Sequence, residues 1–216
     1  MREKTPHRTT ALLICLLLGL ASGSSNARAD EKSPKKDAAQ DVALVLVIDR
    51  SGSMTGAKIV AAKEAVMASI KTLPKDARAA VIAFDSNAVV VAKLSSATKI
   101  KAFGKAVDQI SAGGGTNILP ALKEAGKLLS PASAKRKHVI VLSDGHASYT
   151  GIASSVRDLK AGGVTVSTIG IGDFDPELLD LIAKTGGGRA HSVTELSQLS
   201  TQFVCETKLA QSKSCD

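Results

Sequence analysis

Val42-Ala-Leu-Val-Leu-Val-Ile48, followed at once by Asp49-Arg50-Ser51-Gly52-Ser53-Met54, governs how the rest of the chain is read. Seven consecutive apolar residues predict a strand buried on both faces, the kind that sits in the middle of a parallel sheet. An aspartate and two serines then follow at alternate positions. At the carboxyl end of a central strand, such a turn aims small oxygen ligands at one point above the sheet. Oxygen-only ligands suit a hard cation such as Mg²⁺ or Ca²⁺. Taken alone, the same residues describe equally well a polar turn that caps the next helix.

Outward from this stretch, hydrophobic periodicity alternates between two types. Ile59, Ala62, Val66, Ile70 and Leu73 mark one face of a helix over 56–73, which Pro74 stops. Apolar runs over 77–84 and 88–94, separated by Asp85-Ser86-Asn87, predict an antiparallel hairpin. A helix over 97–110 leads into the glycine-rich Ala112-Gly113-Gly114-Gly115-Thr116-Asn117. The helix after it carries Ile118, Leu122, Ala125 and Leu129 inward, with Pro120 in its first turn. A buried strand over 138–142 ends in Ser143-Asp144-Gly145, and Ile152, Val156 and Leu159 mark a helix ended by Gly162-Gly163. A fifth strand covers 164–171. Asp175-Pro176-Glu177 then caps a helix through Lys184, with Gly186-Gly187-Gly188 beyond its end. A short strand near 189–193 and a last helix ending near Cys205, with Leu196, Leu199 and Phe203 inward, complete the order. Such alternation predicts an α/β fold. It is Rossmann-like and doubly wound, with a mostly parallel six-stranded sheet, one antiparallel edge strand and helices on both faces.

The 216 residues allow one domain plus tails. Arg2, Lys4 and Arg8, an apolar run over 11–20 and the small-x-small site Ala27-Arg28-Ala29 form the pattern of a signal peptide over 1–29. That run, about 10 residues, is too short to span a bilayer as a helix, so no transmembrane helix is expected in the mature chain. Residues 30–40 read as a flexible linker, 41–204 as the domain and 205–216 as a tail. The protein is expected in the periplasm or secreted. Cys15 follows Ile14, which is unsuited to lipoprotein cleavage. Cys205 and Cys215 remain after export and are expected to bridge in an oxidising compartment, with two free thiols as the alternative.

Residues 1–29 hold four of the 28 Lys/Arg and one of the 20 Asp/Glu, so without them the formal charge falls from +8 to +5. This modest charge reads as a solvated surface rather than a nucleic-acid site. Aromatics at 2%, with Tyr149 the single tyrosine and no Trp, argue against base- or sugar-stacking surfaces. Lys135-Arg136-Lys137 reads as a solvated loop before a strand.

Three loops therefore stand out: Asp49-x-Ser51-x-Ser53, the glycine-rich loop ending in Thr116, and Asp144-Gly145 after the fourth strand. Together and in this order they resemble the von Willebrand factor type A (vWA) domain, of the bacterial exported kind, over about 41–203. The resemblance implies the vWA fold and a metal-ion-dependent adhesion site (MIDAS). Ser51, Ser53 and Thr116 match the hydroxyls that bind the metal directly. Asp49 and Asp144 match the carboxylates that hold it directly or through water. The implied ion is Mg²⁺ or Mn²⁺, with Ca²⁺ less suited. With one coordination position open, such an ion favours an Asp or Glu side chain of a partner protein, in adhesion or envelope assembly, and the domain is expected not to be an enzyme. Relatives couple ligand binding to a shift of the last helix, which a Cys205–Cys215 bridge would restrain.

Hydrolysis would also need a general base near the open position. His146 is the candidate, which makes a metal-dependent hydrolase the alternative; an exposed loop histidine is the plainer reading. A structural envelope scaffold with an idle metal site is a third. His146 and Tyr149 are candidate ligand-surface residues, whereas His138 and His191 read as structural. Asp108, Asp173 and Asp175 read as caps or surface charges. Phosphatases with an aspartate nucleophile place a second acid where this chain has Ser51. Gly170-Ile171-Gly172 lacks the third glycine of a dinucleotide site.

Overall fold

The computed structural model describes residues 40–212, 214 and 215. The expected signal peptide and all but the last residue of the expected linker lie outside the described residues. In chain order the elements are β1 (Gln40–Asp49), α1 (Ala57–Thr72), β2 (Arg78–Phe84), β3 (Ala88–Ser96), α2 (Ile100–Asp108), α3 (Ile118–Leu129) and β4 (Ala134–Ser143). There follow α4 (Ile152–Ala161), β5 (Val164–Ile171), α5 (Pro176–Gly186), β6 (Gly187–Val193) and α6 (Leu199–Ala210).

The strands form one six-stranded sheet in the order β3-β2-β1-β4-β5-β6. All neighbours pair in parallel except β2 and β3, which form the antiparallel hairpin at one edge. The doubly wound α/β architecture expected from the periodicity is the one observed.

The opening apolar run earns its composition at the centre of this sheet. Every residue from Val42 to Ile48 is 1% exposed or less. Leu44, Leu46 and Ile48 point to a layer made by α1, α2 and α6, among Ile59, Val66, Phe103 and Phe203. Ala43, Val45 and Val47 point the other way, among Ile118, Leu122, Val156 and Ile182 of α3, α4 and α5. With helices on both faces, neither parity of the strand tolerates a polar residue. From β1 the sheet builds through β2 on one side and β4 on the other. The crevice at such a switch point opens above the carboxyl ends of β1 and β4.

Two expectations are corrected. Lys135–Lys137 belong to β4, not to a loop: the strand begins at Ala134, opposite Gln40. Lys135 and Arg136 reach solvent there, and Lys135 pairs with Asp41 at 2.7 Å. The last helix also runs on to Ala210, so Cys205 lies inside it. Its Cα is 5.0 Å from that of Cys215, within the span a disulfide bridges.

The polar end of α6 is held by long-range partners. Buried Glu206 accepts hydrogen bonds from Ser167 Oγ (2.7 Å), Arg189 Nε and Nη2 (3.0 and 2.9 Å) and His191 Nε2 (2.8 Å). His138 Nε2 lies 3.4 Å from Oε1. Burial pushes the Glu206 carboxyl up. The His138, His191, Arg189 and Ser167 contacts outweigh it and hold the group far below the usual carboxylate range. Among the described residues, no helix is long and apolar enough to cross a membrane.

Candidate metal centre

Asp49 is the last residue of β1, and the chain turns immediately into a single 3-10 turn, Gly52–Met54. Met54 drops into the core and pins that turn. Asp49 is fully buried; its Oδ1 accepts from the Ser51 amide at 2.8 Å and its Oδ2 from Ser143 Oγ at 2.7 Å. Burial pushes its carboxyl up, the Ser51 and Ser143 hydrogen bonds pull it back, and nearby Asp144 adds to the rise; the net shift is upward.

The alternate spacing of the two serines brings their hydroxyls together, with Ser51 Oγ 3.0 Å from Ser53 Oγ. Ser53 Oγ donates to Asp144 Oδ1 at 2.7 Å. Thr116 lies beside them: a Cβ built on Gly145 would lie 3.4 Å from Thr116 Oγ1 and 3.8 Å from Ser53 Oγ. All five residues expected to form the site thus converge above β1 and β4. Asp49, Ser51 and Asp144 form a buried floor, while half-buried Thr116 and exposed Ser53 form the rim.

The glycine-rich loop is held in place by its neighbours. Gly113 N donates to Arg50 O (2.7 Å), Gly52 N to Gly114 O (3.0 Å) and Asn117 N to Asp85 O (2.7 Å). Gly114 has φ +85°, and a Cβ there would lie 3.0 Å from Asp85 Cβ. Arg50 Nη2 pairs with Asp85 Oδ2 at 2.5 Å, joining the first loop to the hairpin turn.

Arg50, Asp85 and Ser143 were not singled out by the sequence reading, and neither was Lys58. From the first turn of α1, Lys58 Nζ donates to Asp144 Oδ2 at 2.5 Å. The available signal was position: a helix that starts just after the first loop must begin beside the crevice.

Tyr149 is exposed, and its hydroxyl donates to Asp175 (Oδ2 2.9 Å, Oδ1 3.1 Å). Asp175 caps α5 as expected, accepting from Leu178 N at 3.0 Å. That bond, with Tyr149, the Glu177 amide and the charge of His146, outweighs burial and holds the Asp175 carboxyl below the usual range. His146 is exposed, and its charge acts on Asp175 in the adjoining loop.

The donor set suits a small hard cation. Oxygens adjacent on an octahedral Mg²⁺, each about 2.1 Å from the ion, stand about 3.0 Å apart. The Ser51 and Ser53 hydroxyls have that spacing. Among the described residues no three His, Cys, Asp or Glu gather as a metal cluster. The site is instead two carboxylates and three hydroxyls, a poor set for soft metals.

An open, doubly wound sheet with a hydroxyl–carboxylate cluster at its switch point defines a class of α/β ligand-binding domains. Within it, the chain belongs to the von Willebrand factor type A domain family, whose model matches residues 43–204. An uncharacterized protein of Synechocystis sp. is 35% identical over 157 residues, covering 67% of this chain and 36% of that protein. A von Willebrand factor type A structure from Catenulispora acidiphila superposes with TM-score 0.75 at 31% identity, over 80% of this chain and 43% of that one. Proximal thread matrix protein 1 of the mussel byssus, solved with a zinc-occupied MIDAS motif, superposes with TM-score 0.68 at 24% identity. It is matched over 80% of this chain and 46% of its own. The chain thus spans less than half the length of each of these relatives.

Proposed function

We propose that this domain is a divalent-metal-dependent protein-binding module. Asp49, Ser51, Ser53, Thr116 and Asp144 hold Mg²⁺ or Mn²⁺, and the ion captures an Asp or Glu side chain of a partner protein in adhesion or assembly at the cell envelope. The observation that carries this reading is the convergence of the five oxygen-bearing side chains on one crevice, with cis-ligand spacing between two hydroxyls. A buried floor and an open rim leave one side of the ion facing solvent, where a partner's carboxylate arrives. The zinc-occupied motif in the mussel protein supports the same kind of site on this fold. The N-terminal pattern supports export, and the 5.0 Å approach of Cys205 and Cys215 supports a bridge formed after it. The test is calorimetric titration of Mg²⁺ into wild type and Asp49→Ala. Saturable binding to wild type alone is expected, and equal heats in both would overturn the site.

A further inference from the structure

We propose that Lys58 sets the charge of this site. Its ammonium competes with the divalent ion for Asp144, and in the loaded site it supplies the positive charge that draws an incoming carboxylate. The inference rests on the metal-dependent reading above.

Three observations carry it. Lys58 Nζ stands 2.5 Å from Asp144 Oδ2, while the other oxygen of that carboxylate takes the Ser53 hydroxyl. The Asp144 side chain is 0% exposed and that of Lys58 30%, so the pair is only partly screened by solvent. The loop after β5 also leaves space for the ammonium. Gly172 has φ +67°, and a Cβ there would sit 3.1 Å from Nζ and 3.3 Å from Cε.

Charge arithmetic follows. By formal charge, the Asp49 and Asp144 carboxylates with the Lys58 ammonium give the ion-free site minus one. A divalent ion raises this to plus one, and one Asp or Glu from a partner brings it to zero. Without Lys58 the series becomes minus two, zero and minus one, so the loaded site no longer attracts the carboxylate by net charge. The same cation therefore weakens metal binding and strengthens partner binding. Opposite-sign interactions at such short range are strong in a partly buried crevice.

The experiment uses Lys58→Met, which keeps the unbranched stem, one atom shorter, and removes the charge. Mg²⁺ affinity is read by calorimetry, and acetate binding to the Mg²⁺-loaded protein by NMR titration. Mg²⁺ is expected to bind about tenfold more tightly and acetate about tenfold more weakly, the size of one short-range charge–charge interaction in a partly exposed site. Lys58→Arg, which keeps the charge, is expected to restore acetate binding. A merely structural lysine would shift both affinities down together. That result, or either affinity unmoved, overturns the proposal. Should Lys58→Met not fold, amine acetylation of the wild type decides by mass spectrometry. Mg²⁺ is expected to raise the labelling rate of Lys58 severalfold, and an unchanged rate overturns the competition. A wild type that binds no Mg²⁺ instead defeats the parent reading, whereas binding abolished by Asp49→Ala keeps that reading whatever Lys58 does.

Discussion

Removing the Asp85 carboxylate should loosen the candidate metal centre from a distance. Asp85 lies in the hairpin turn and touches none of the five ligand positions through its side chain. Its Oδ2 takes Arg50 Nη2 at 2.5 Å, and its Oδ1 takes the Asn87 amide at 2.8 Å. The Arg50 side chain is 28% exposed and that of Asp85 14%, so the pair is only partly screened. A charged hydrogen bond of this kind contributes about 1.5–3 kcal/mol, and the neutral turn bond about 0.5–1.5. Arg50 Nε is already buried without a partner, and without Asp85 its guanidinium keeps only Ser111 O at 3.5 Å. Asp85→Ala should therefore cost about 2–4 kcal/mol, and Asp85→Asn, which keeps the turn bond, about 1 kcal/mol less. For a domain of this size, Tm falls by roughly 2–4 °C per kcal/mol. The turn also fixes the residues flanking Thr116, through Asn117 N to Asp85 O (2.7 Å) and Gly115 N to Ser86 Oγ (3.1 Å). Displacing Thr116 should weaken Mg²⁺ by about tenfold or more, the range for supporting partners at metal sites. Circular-dichroism melting in EDTA reads the first effect and calorimetry the second. Wild-type Tm together with wild-type Mg²⁺ affinity in Asp85→Ala would refute the reasoning.

Glu206→Gln leaves the half-exposed Arg189 facing a neutral amide and should cost about 1.5–3 kcal/mol, the range for a charged hydrogen bond, read by urea unfolding. Because the Glu206 carboxyl is depressed on folding, its contribution is full above its ordinary value of 4.5 and fades as pH falls below it. The variant should lack that acid loss, and parallel stability–pH curves for both proteins would contradict the network. Gly188→Ala should fail to fold or lose most of its stability, because the added Cβ strikes the Val166 carbonyl and Ser167 Oγ of β5; a wild-type melt would refute it. Thiol titration of the exported protein, denatured without reductant, should find no free thiol, and two per chain would rule out the Cys205–Cys215 bridge.

Apolar periodicity made the layers of this fold legible, and it failed where polar residues are paid for by distant partners. The strand over Lys135–Lys137 was hidden because Lys135 and Arg136 reach solvent at the start of β4, where backbone pairing with β1, and for Lys137 also with β5, holds the segment. The continuation of α6 past Cys205 was hidden because Glu206 and Thr207 look like a solvated helix end. Both are fully buried, and Glu206 is satisfied by residues 15 to 39 positions away. Gly186-Gly187-Gly188 read as a simple stop. In fact Gly187, at φ +69°, caps α5, while Gly188 lets β6 approach the β5 backbone. The five candidate site residues were readable because each sits in a short motif tied to an element boundary. Lys58, Ser143 and the Arg50–Asp85 pair were not, since their role exists only once the sheet brings β1, β2 and β4 side by side.

The same packing divides the site into fixed and adjustable parts. Asp49, Ser51 and Asp144 are anchored at the ends of the two central strands, and Thr116 is anchored through the hairpin turn. Lys58 instead rides on α1, which packs along α6. The Glu206 network joins α6 to β5 and β6. Displacing α6 from the sheet would disturb that network, and its packing against α1 would pass the strain to the helix that carries Lys58. On the function proposed above, such strain would meet the candidate metal centre at Lys58, whose ammonium faces Asp144, before it met the residues anchored at the strand ends.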